Sequence, residues 1–295
     1  MRLVTFSDAA GMRVGVHEPE SNTIVDLAAT TRLPRDMTAI VALGRKARER
    51  MRRAVKTGEG RIPFDSVKLH APFPRPAKNV LCVGKNYHEH AKEFHNSGVD
   101  ASAGKDAIPE VPIMFTKWPN SVIGPGEPIP TANDYTDSTD YEGELTVVIG
   151  EGGRNISRAQ AYQHVYGYTI INDATARILQ NRHRQWFLGK SLDGYCPMGP
   201  CLVTADEIKN VHQMHLITRV NGEVRQDAMV SDLIFDVPAL IECVSRVMTL
   251  DPGDLIATGT CAGVGIGFDP PKYLKKGDVV SITIEPIGTL ENPVS

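Results

Sequence analysis

No C-x-x-C pair occurs among the five cysteines (Cys82, Cys196, Cys201, Cys243 and Cys261), which lie scattered through 295 residues. An odd number of separated thiols suits a reducing compartment better than a disulfide scaffold. Long apolar runs are missing too. Nothing approaches the ~18 to 20 residues of a membrane span, and the opening "MRLVTFSDAAGMRVGV" holds no uninterrupted apolar h-region. The expectation is a cytoplasmic protein with no membrane partner. Charge of one sign is not in excess: 32 Lys and Arg stand against 35 Asp and Glu, for a net charge of -3. That balance excludes a global attraction to nucleic acid. Long heptads are absent, which argues against a helical bundle, and there is no internal repeat or low-complexity tract.

What the chain has is turns and strands. Twenty-six Gly and twenty Pro punctuate short runs such as "RLVTFSD", "MRVGVHE", "NVLCVG", "IMFTK", "GELTVVIG", "VYGYTIIN", "CLVTAD", "LITRV", "LIATGT" and "VVSITIEPIG". Four helical stretches interrupt them. One is "TAIVALGRKARERMRRAVKTGEG", the others lie around "YHEHAKEFH" and "ATARILQNRHRQWF", and the last is "VPALIECVSRVMTL" with Asp236 as a candidate N-cap. No βαβ alternation appears. The fold class is therefore mainly β with some helix, α+β, a mixed roll or sandwich. The Pro-rich "HAPFPRPAKN" places a boundary near residue 72, giving a small N-terminal β-containing domain (1–71) and a main domain (72–295). The basic run from Arg45 to Arg53 lacks interleaved aromatics and is read as a solvated helix face, with no nucleic-acid partner.

Candidate chemistry starts at "STDYEGELTVVIG". In a strand, side chains alternate, so Glu142 and Glu144 leave one face with Cα atoms roughly 6.5 to 7 Å apart. Tyr141, Leu145, Val147 and Ile149 leave the other and can supply the core. Two like charges are tolerable in water or around a cation. Asp173 ends "VYGYTIIND", where capping the next helix is its ordinary explanation. Three carboxylates with no His or Cys form a hard-oxygen set suited to Mg²⁺, Mn²⁺ or Ca²⁺ rather than zinc. In "CVGKNYHEHAKEF", His90 and Glu93 stand three apart on a helix, so the carboxylate can orient the imidazole as a base; a plain surface pair is the alternative. His88 and His95 are read as bystanders. Lys190 is one charge among apolar and Gly residues, a snorkelling side chain or a site cation. The Gly-rich "LIATGTCAGVGIGFDPP" lacks G-x-G-x-x-G spacing and runs into Pro270-Pro271, which excludes a dinucleotide loop. It is expected to line a pocket with backbone N–H groups and the Thr260 hydroxyl.

Each feature alone has a bland reading, but their order does not. "GKNYHEHAKE", "DYEGELTVVIG", "GYTIINDATARILQ", "WFLGKSLDGYCPMGP", "NGEVRQ" and "DLIATGTCAGVG" resemble the motifs of the fumarylacetoacetate hydrolase family, over roughly residues 72 to 290. The resemblance implies the family's mixed β-roll, usually dimeric, with a homodimer expected. It makes Glu142, Glu144 and Asp173 the ligands of Mg²⁺ or Mn²⁺, with Ca²⁺ able to take the place in a crystal. It makes His90 and Glu93 a water-activating dyad, on a segment that often orders over substrate as a lid. Lys190 matches a lysine near the metal, Gln180 a substrate-contacting glutamine, and Arg177 and Thr260 positions close to the site. Cys261 stands where Pro is usual and Gly194 where many members carry Thr, both expected to reshape the pocket.

The activity so implied is hydrolysis of the C–C bond in an acylpyruvate-type 2,4-diketo acid such as fumarylpyruvate or a diketo-deoxy sugar acid, through a metal-stabilised enolate. The alternative on the same residues is an oxaloacetate decarboxylase or a hydroxymuconate-type isomerase or decarboxylase. A metal-dependent 2-keto acid binder without turnover is a third reading, opposed by the presence of both His90 and Glu93.

Overall fold

Runs rich in Val, Ile and Thr build one large mixed sheet in a computed structural model that describes residues 1–96 and 108–295. From one edge the strands run Arg61–Pro63, Thr23–Asp26, Gly11–Glu18, Arg2–Asp8, Cys196–Thr204, Val165–Asn172, Gly143–Ile149, Leu255–Ala257, Val80–Gly84 and Ile113–Lys117. Leu255–Ala257 and Val80–Gly84 pair in parallel, and the other neighbours along this path are antiparallel. The N-terminal strands thus belong to the same sheet as the strands after residue 72, with Leu3 opposite Leu202. A second sheet holds Glu223–Met229, His215–Val220, Val279–Ile284 and Gly288–Pro293. The architecture is α+β, as the strand-dominated sequence predicts.

Strand Gly143–Ile149 lies inside the sheet and is buried along its whole length. Its alternation splits the core. Leu145, Val147 and Ile149 pack with Leu240, Ile241 and Val244 of the helix Val237–Val247 and with Leu216, Ile282 and Ile284 of the second sheet. Val148 faces the other way, into a cluster with Ile40, Val41 and Met51 of the N-terminal helices. Burying such a side chain stabilises the fold by about 1.5 to 3 kcal/mol before entropy is counted. Asp236 caps the helix Val237–Val247, accepting from the Ala239 N–H at 2.9 Å.

Two expected helices are broken. The stretch from residue 38 to 60 divides into Met37–Ala42 and Gly44–Thr57, with Gly44 at φ +51°. The stretch from 174 to 187 begins as extended chain, Thr175–Ala176 pairing with Thr139–Asp140. Helices Arg177–Arg182 and Phe187–Lys190 follow, separated by a turn with Arg184 at φ +58°. Among the described residues no helix is long and apolar enough to cross a membrane. All five cysteines are free thiols.

Candidate active site

The central strand pair carries the acidic group. Asn172 lies opposite Gly143, and just beyond this rung the Asp173 N–H donates to the Glu142 carbonyl at 2.8 Å. The Asn172 side-chain carbonyl in turn accepts the Glu142 N–H at 2.9 Å. With the backbones locked, Glu142, Glu144 and Asp173 each present a carboxylate oxygen within 4.8 Å of the others. A solvated strand face is ruled out, since the three are 4%, 1% and 0% exposed. Capping does not explain Asp173 either. The next helix starts at Arg177, and its N-cap residue is Ala176.

Three buried carboxylates so close repel, and buried cations are drawn up around them. Lys190 Nζ donates to Glu142 Oε2 at 2.6 Å and to Asp173 Oδ2 at 2.8 Å. Arg177 Nη2 lies 2.7 Å from Glu142 Oε1, and its Nε donates to Asp140 at 2.8 Å. Burial alone would push the Glu142 carboxyl up, but Lys190 and Arg177 overcome it and hold the group down at about 2. Lys190 stays an ammonium for the converse reason: burial opposes its charge, and Asp173 and Glu142 outweigh burial. Glu144 accepts the neutral Gly259 N–H at 2.9 Å. Burial, then Asp173 and Glu142, push its carboxyl well above the ordinary carboxylate range. A divalent cation among these oxygens would relieve that repulsion, so the donor set fits Mg²⁺ or Mn²⁺.

His90 of the dyad faces the same space. The helix His88–Asn96 places His90 Nδ1 3.1 Å from Glu93 Oε2. His90, Glu142, Glu144, Arg177, Gln180, Lys190 and Thr260 line one cavity. Phe94, Phe115 and Trp186 form its apolar wall, with Trp186 edge-on to both phenylalanines. Gln180 accepts from Arg177 Nη1 at 3.3 Å, and Thr260 donates to the Gly143 carbonyl at 3.0 Å. His88, by contrast, is exposed.

The Gly-rich loop does something other than expected. Its N–H groups serve protein carboxylates: Gly259 serves Glu144, Gly263 serves Glu93 at 2.9 Å, and Gly265 and Ile266 serve Asp140 at 2.6 and 2.9 Å. The loop is therefore a clamp for the acidic residues, and only Thr260 of it lines the cavity. Cys261 and Gly194 do not line the cavity, so neither shapes it directly. Gly194 sits at φ +82° with an added Cβ only 2.5 Å from Pro130, which leaves no room for threonine there.

Sequence reasoning missed Asp140 and Lys117. Asp140 was legible in principle, being a third acid in alternation with Glu142 and Glu144, and it anchors Arg177 and the loop at once. Lys117, at the end of "IMFTK", is fully buried with its Nζ 2.6 Å from Asp173 Oδ1. It carries no local signal, because its partners are distant in sequence.

The fold and the buried acidic triad suggest an enzyme with a divalent-cation site, and known proteins resemble the chain. The model of the fumarylacetoacetate hydrolase C-terminal region matches residues 79–295. An oxaloacetate tautomerase, YisK, of Bacillus subtilis (strain 168) is 54% identical over 231 residues, which span 78% of this chain and 74% of the relative. A fumarylacetoacetate hydrolase from psychrophilic Exiguobacterium antarcticum superposes with a TM-score of 0.83 at 39% identity, covering 100% of this chain and 99% of that one. The maleylpyruvate hydrolase of Sphingobium sp. SYK-6, solved with manganese(II) and pyruvate, gives a TM-score of 0.80 at 29% identity over 100% and 98% of the two chains. The protein belongs to the fumarylacetoacetate hydrolase family and is an enzyme of that family.

Proposed function

We propose that the protein interconverts the keto and enol forms of a compact 2-oxo diacid of the oxaloacetate type. The observation that carries this reading is that His90, paired with Glu93, lines the same cavity as Glu142, Glu144 and Lys190. The 54% identical relative named as an oxaloacetate tautomerase supports the same choice.

Glu142, Glu144 and Asp173 would hold a divalent cation, Mg²⁺ or Mn²⁺. When bound, that ion supplies a Lewis acid for the charge developing at the 2-oxo group. The chain's own residues do the rest. Enolisation removes a proton from C3 and adds one at the C2 oxygen. His90, giving its Nδ1–H to Glu93, has its other ring nitrogen free to take the first proton and return it. The Lys190 ammonium serves as a donor for the second. Arg177 and Gln180 bind the carboxylate end, and the aromatic wall of Phe94, Phe115 and Trp186 keeps water from the carbanion.

A second reading is hydrolysis of an acylpyruvate, where His90 would deprotonate water. The water-activating arrangement of the dyad and the fold shared with a maleylpyruvate hydrolase favour it. One experiment separates the two: loss of enol-oxaloacetate absorbance is followed with Mn²⁺ present, beside a panel of acylpyruvates in H₂¹⁸O read by mass spectrometry. Accelerated enol–keto exchange with no ¹⁸O in a new carboxylate supports tautomerisation. ¹⁸O in the released acid, without enol turnover, gives the assignment to hydrolysis. The free thiols suit a cytoplasmic setting and the proposed assembly is a homodimer, which light scattering on the eluted protein tests.

A further inference from the structure

Lys117 stands outside every role given so far. It closes the strand Ile113–Lys117 with its side chain 0% exposed, a placement costly for an ammonium unless its charge and N–H groups are matched. Its charge meets one carboxylate and its N–H groups serve two main-chain carbonyls. Nζ lies 2.6 Å from Asp173 Oδ1, donates to the Ala174 carbonyl at 3.0 Å, and donates to the carbonyl of Lys190. Asp173 is thereby gripped at both oxygens, Oδ1 by Lys117 and Oδ2 by Lys190. The same ammonium fixes the main chain of Lys190, whose own Nζ reaches Glu142 and Asp173. A further tie holds the two segments together: the Trp118 N–H donates to Ser191 Oγ at 3.1 Å.

We propose that Lys117 is a positioning residue for the cation site. It turns the Asp173 carboxylate toward Glu142 and Glu144, and it sets where the Lys190 side chain begins. The inference rests on the reading of the three carboxylates as metal ligands. Two effects oppose each other when Lys117 loses its charge. A cation beside a ligand repels the incoming ion, so its removal alone would tighten binding. Its removal also frees Asp173 to rotate and leaves two buried carbonyls without a donor. Loss of an outer partner of a ligand typically costs about 10- to 100-fold in metal affinity, so orientation outweighs repulsion.

The test is a calorimetric Mn²⁺ titration of the wild-type protein, Lys117→Met and Lys117→Gln, with circular dichroism to check folding. Lys117→Met is expected to bind Mn²⁺ about 10- to 100-fold more weakly with an unchanged spectrum. Should that variant not fold, Lys117→Gln reads the same loss, because its amide serves the carbonyls but brings no charge to Asp173. Wild-type protein that fails to bind Mn²⁺ removes the metal reading itself. Wild-type binding with equal or tighter binding by the variant removes only the role of Lys117. Unfolding of both variants would assign the lysine to the fold instead and overturn the proposal.

Discussion

His90 and Glu93 are joined across one helical turn by a 3.1 Å contact from Nδ1 to Oε2, and the other oxygen of Glu93 accepts the Gly263 N–H at 2.9 Å. The carboxylate is held at both ends, so the imidazole it orients has one preferred pose. The dyad is thus built from a helix and a distant loop together, and its parts can be tested separately.

Replacing His90 by Ala is expected to lower kcat by about 10²- to 10⁴-fold, the usual worth of a positioned base. Mn²⁺ affinity should stay near that of the wild type, because His90 is not among the three carboxylates that converge. Steady-state kinetics beside a Mn²⁺ titration check both halves. Unchanged turnover would take the imidazole out of the reaction.

Gly267 tests the loop side of the dyad. A Cβ there would sit 2.0 Å from Glu93 Oε1, 2.4 Å from its Cδ and 2.7 Å from its Cγ, so the whole Glu93 side chain would have to move and no backbone atom would. Gly267→Ala should therefore fold, push the carboxylate off His90 and cost about tenfold or more in kcat. Thermal unfolding should change little, and a variant with full activity would show that Glu93 can be displaced without consequence.

The acidic group predicts a pH-dependent response to metal. Glu144 binds its proton more tightly folded than its ordinary value of 4.5, so the folded protein holds more protons than the unfolded one above that pH. Ion-free protein should then lose stability as pH rises from about 4.5. Glu142 acts oppositely: held at about 2, it stabilises the fold above 4.5 and that contribution is lost as pH falls toward 2. Mn²⁺ should displace the Glu144 proton, so the gain in Tm on adding Mn²⁺ should grow between pH 5 and 8. Glu144→Gln should flatten that gain, and calorimetry across the same range reads it.

Treatment with a chelator should abolish turnover, and Mg²⁺ or Mn²⁺ should restore it. At an ion concentration 100 times Kd, the added stability should be about 2.7 kcal/mol. Activity that survives exhaustive chelation would leave the three carboxylates without a catalytic task.

Local patterns made much of the site legible. Alternation in a strand put Glu142 and Glu144 on one face, helical spacing joined His90 to Glu93, and the order of motifs supplied Asp173, Lys190, Arg177, Gln180 and Thr260. What stayed hidden depends on chain folded back from afar. Lys117 meets Asp173 across 56 residues and reads locally as an ordinary strand end. The chain after Asp173 was misread because Ala174 to Arg182 has helical composition. Its first residues are instead drawn into extended pairing with Thr139–Asp140, and the Ala174 carbonyl is engaged by Lys117. Polar Glu223–Met229 shows no strand alternation, yet it is paired with His215–Val220.

The rung between Leu3 and Leu202 also bears on how the molecule can be shortened. A fragment beginning at residue 72 would strip Arg2–Asp8 from one edge of Cys196–Thr204, leaving Val165–Asn172 on the other, and bare Leu202 and Met198, which pack with Leu3, Val14 and Val25. Such an open flank is a template for pairing with a neighbouring chain. The shortened protein should precipitate or form ladders of copies, so the first seventy residues act as a selvedge that keeps the woven sheet from fraying into its neighbours.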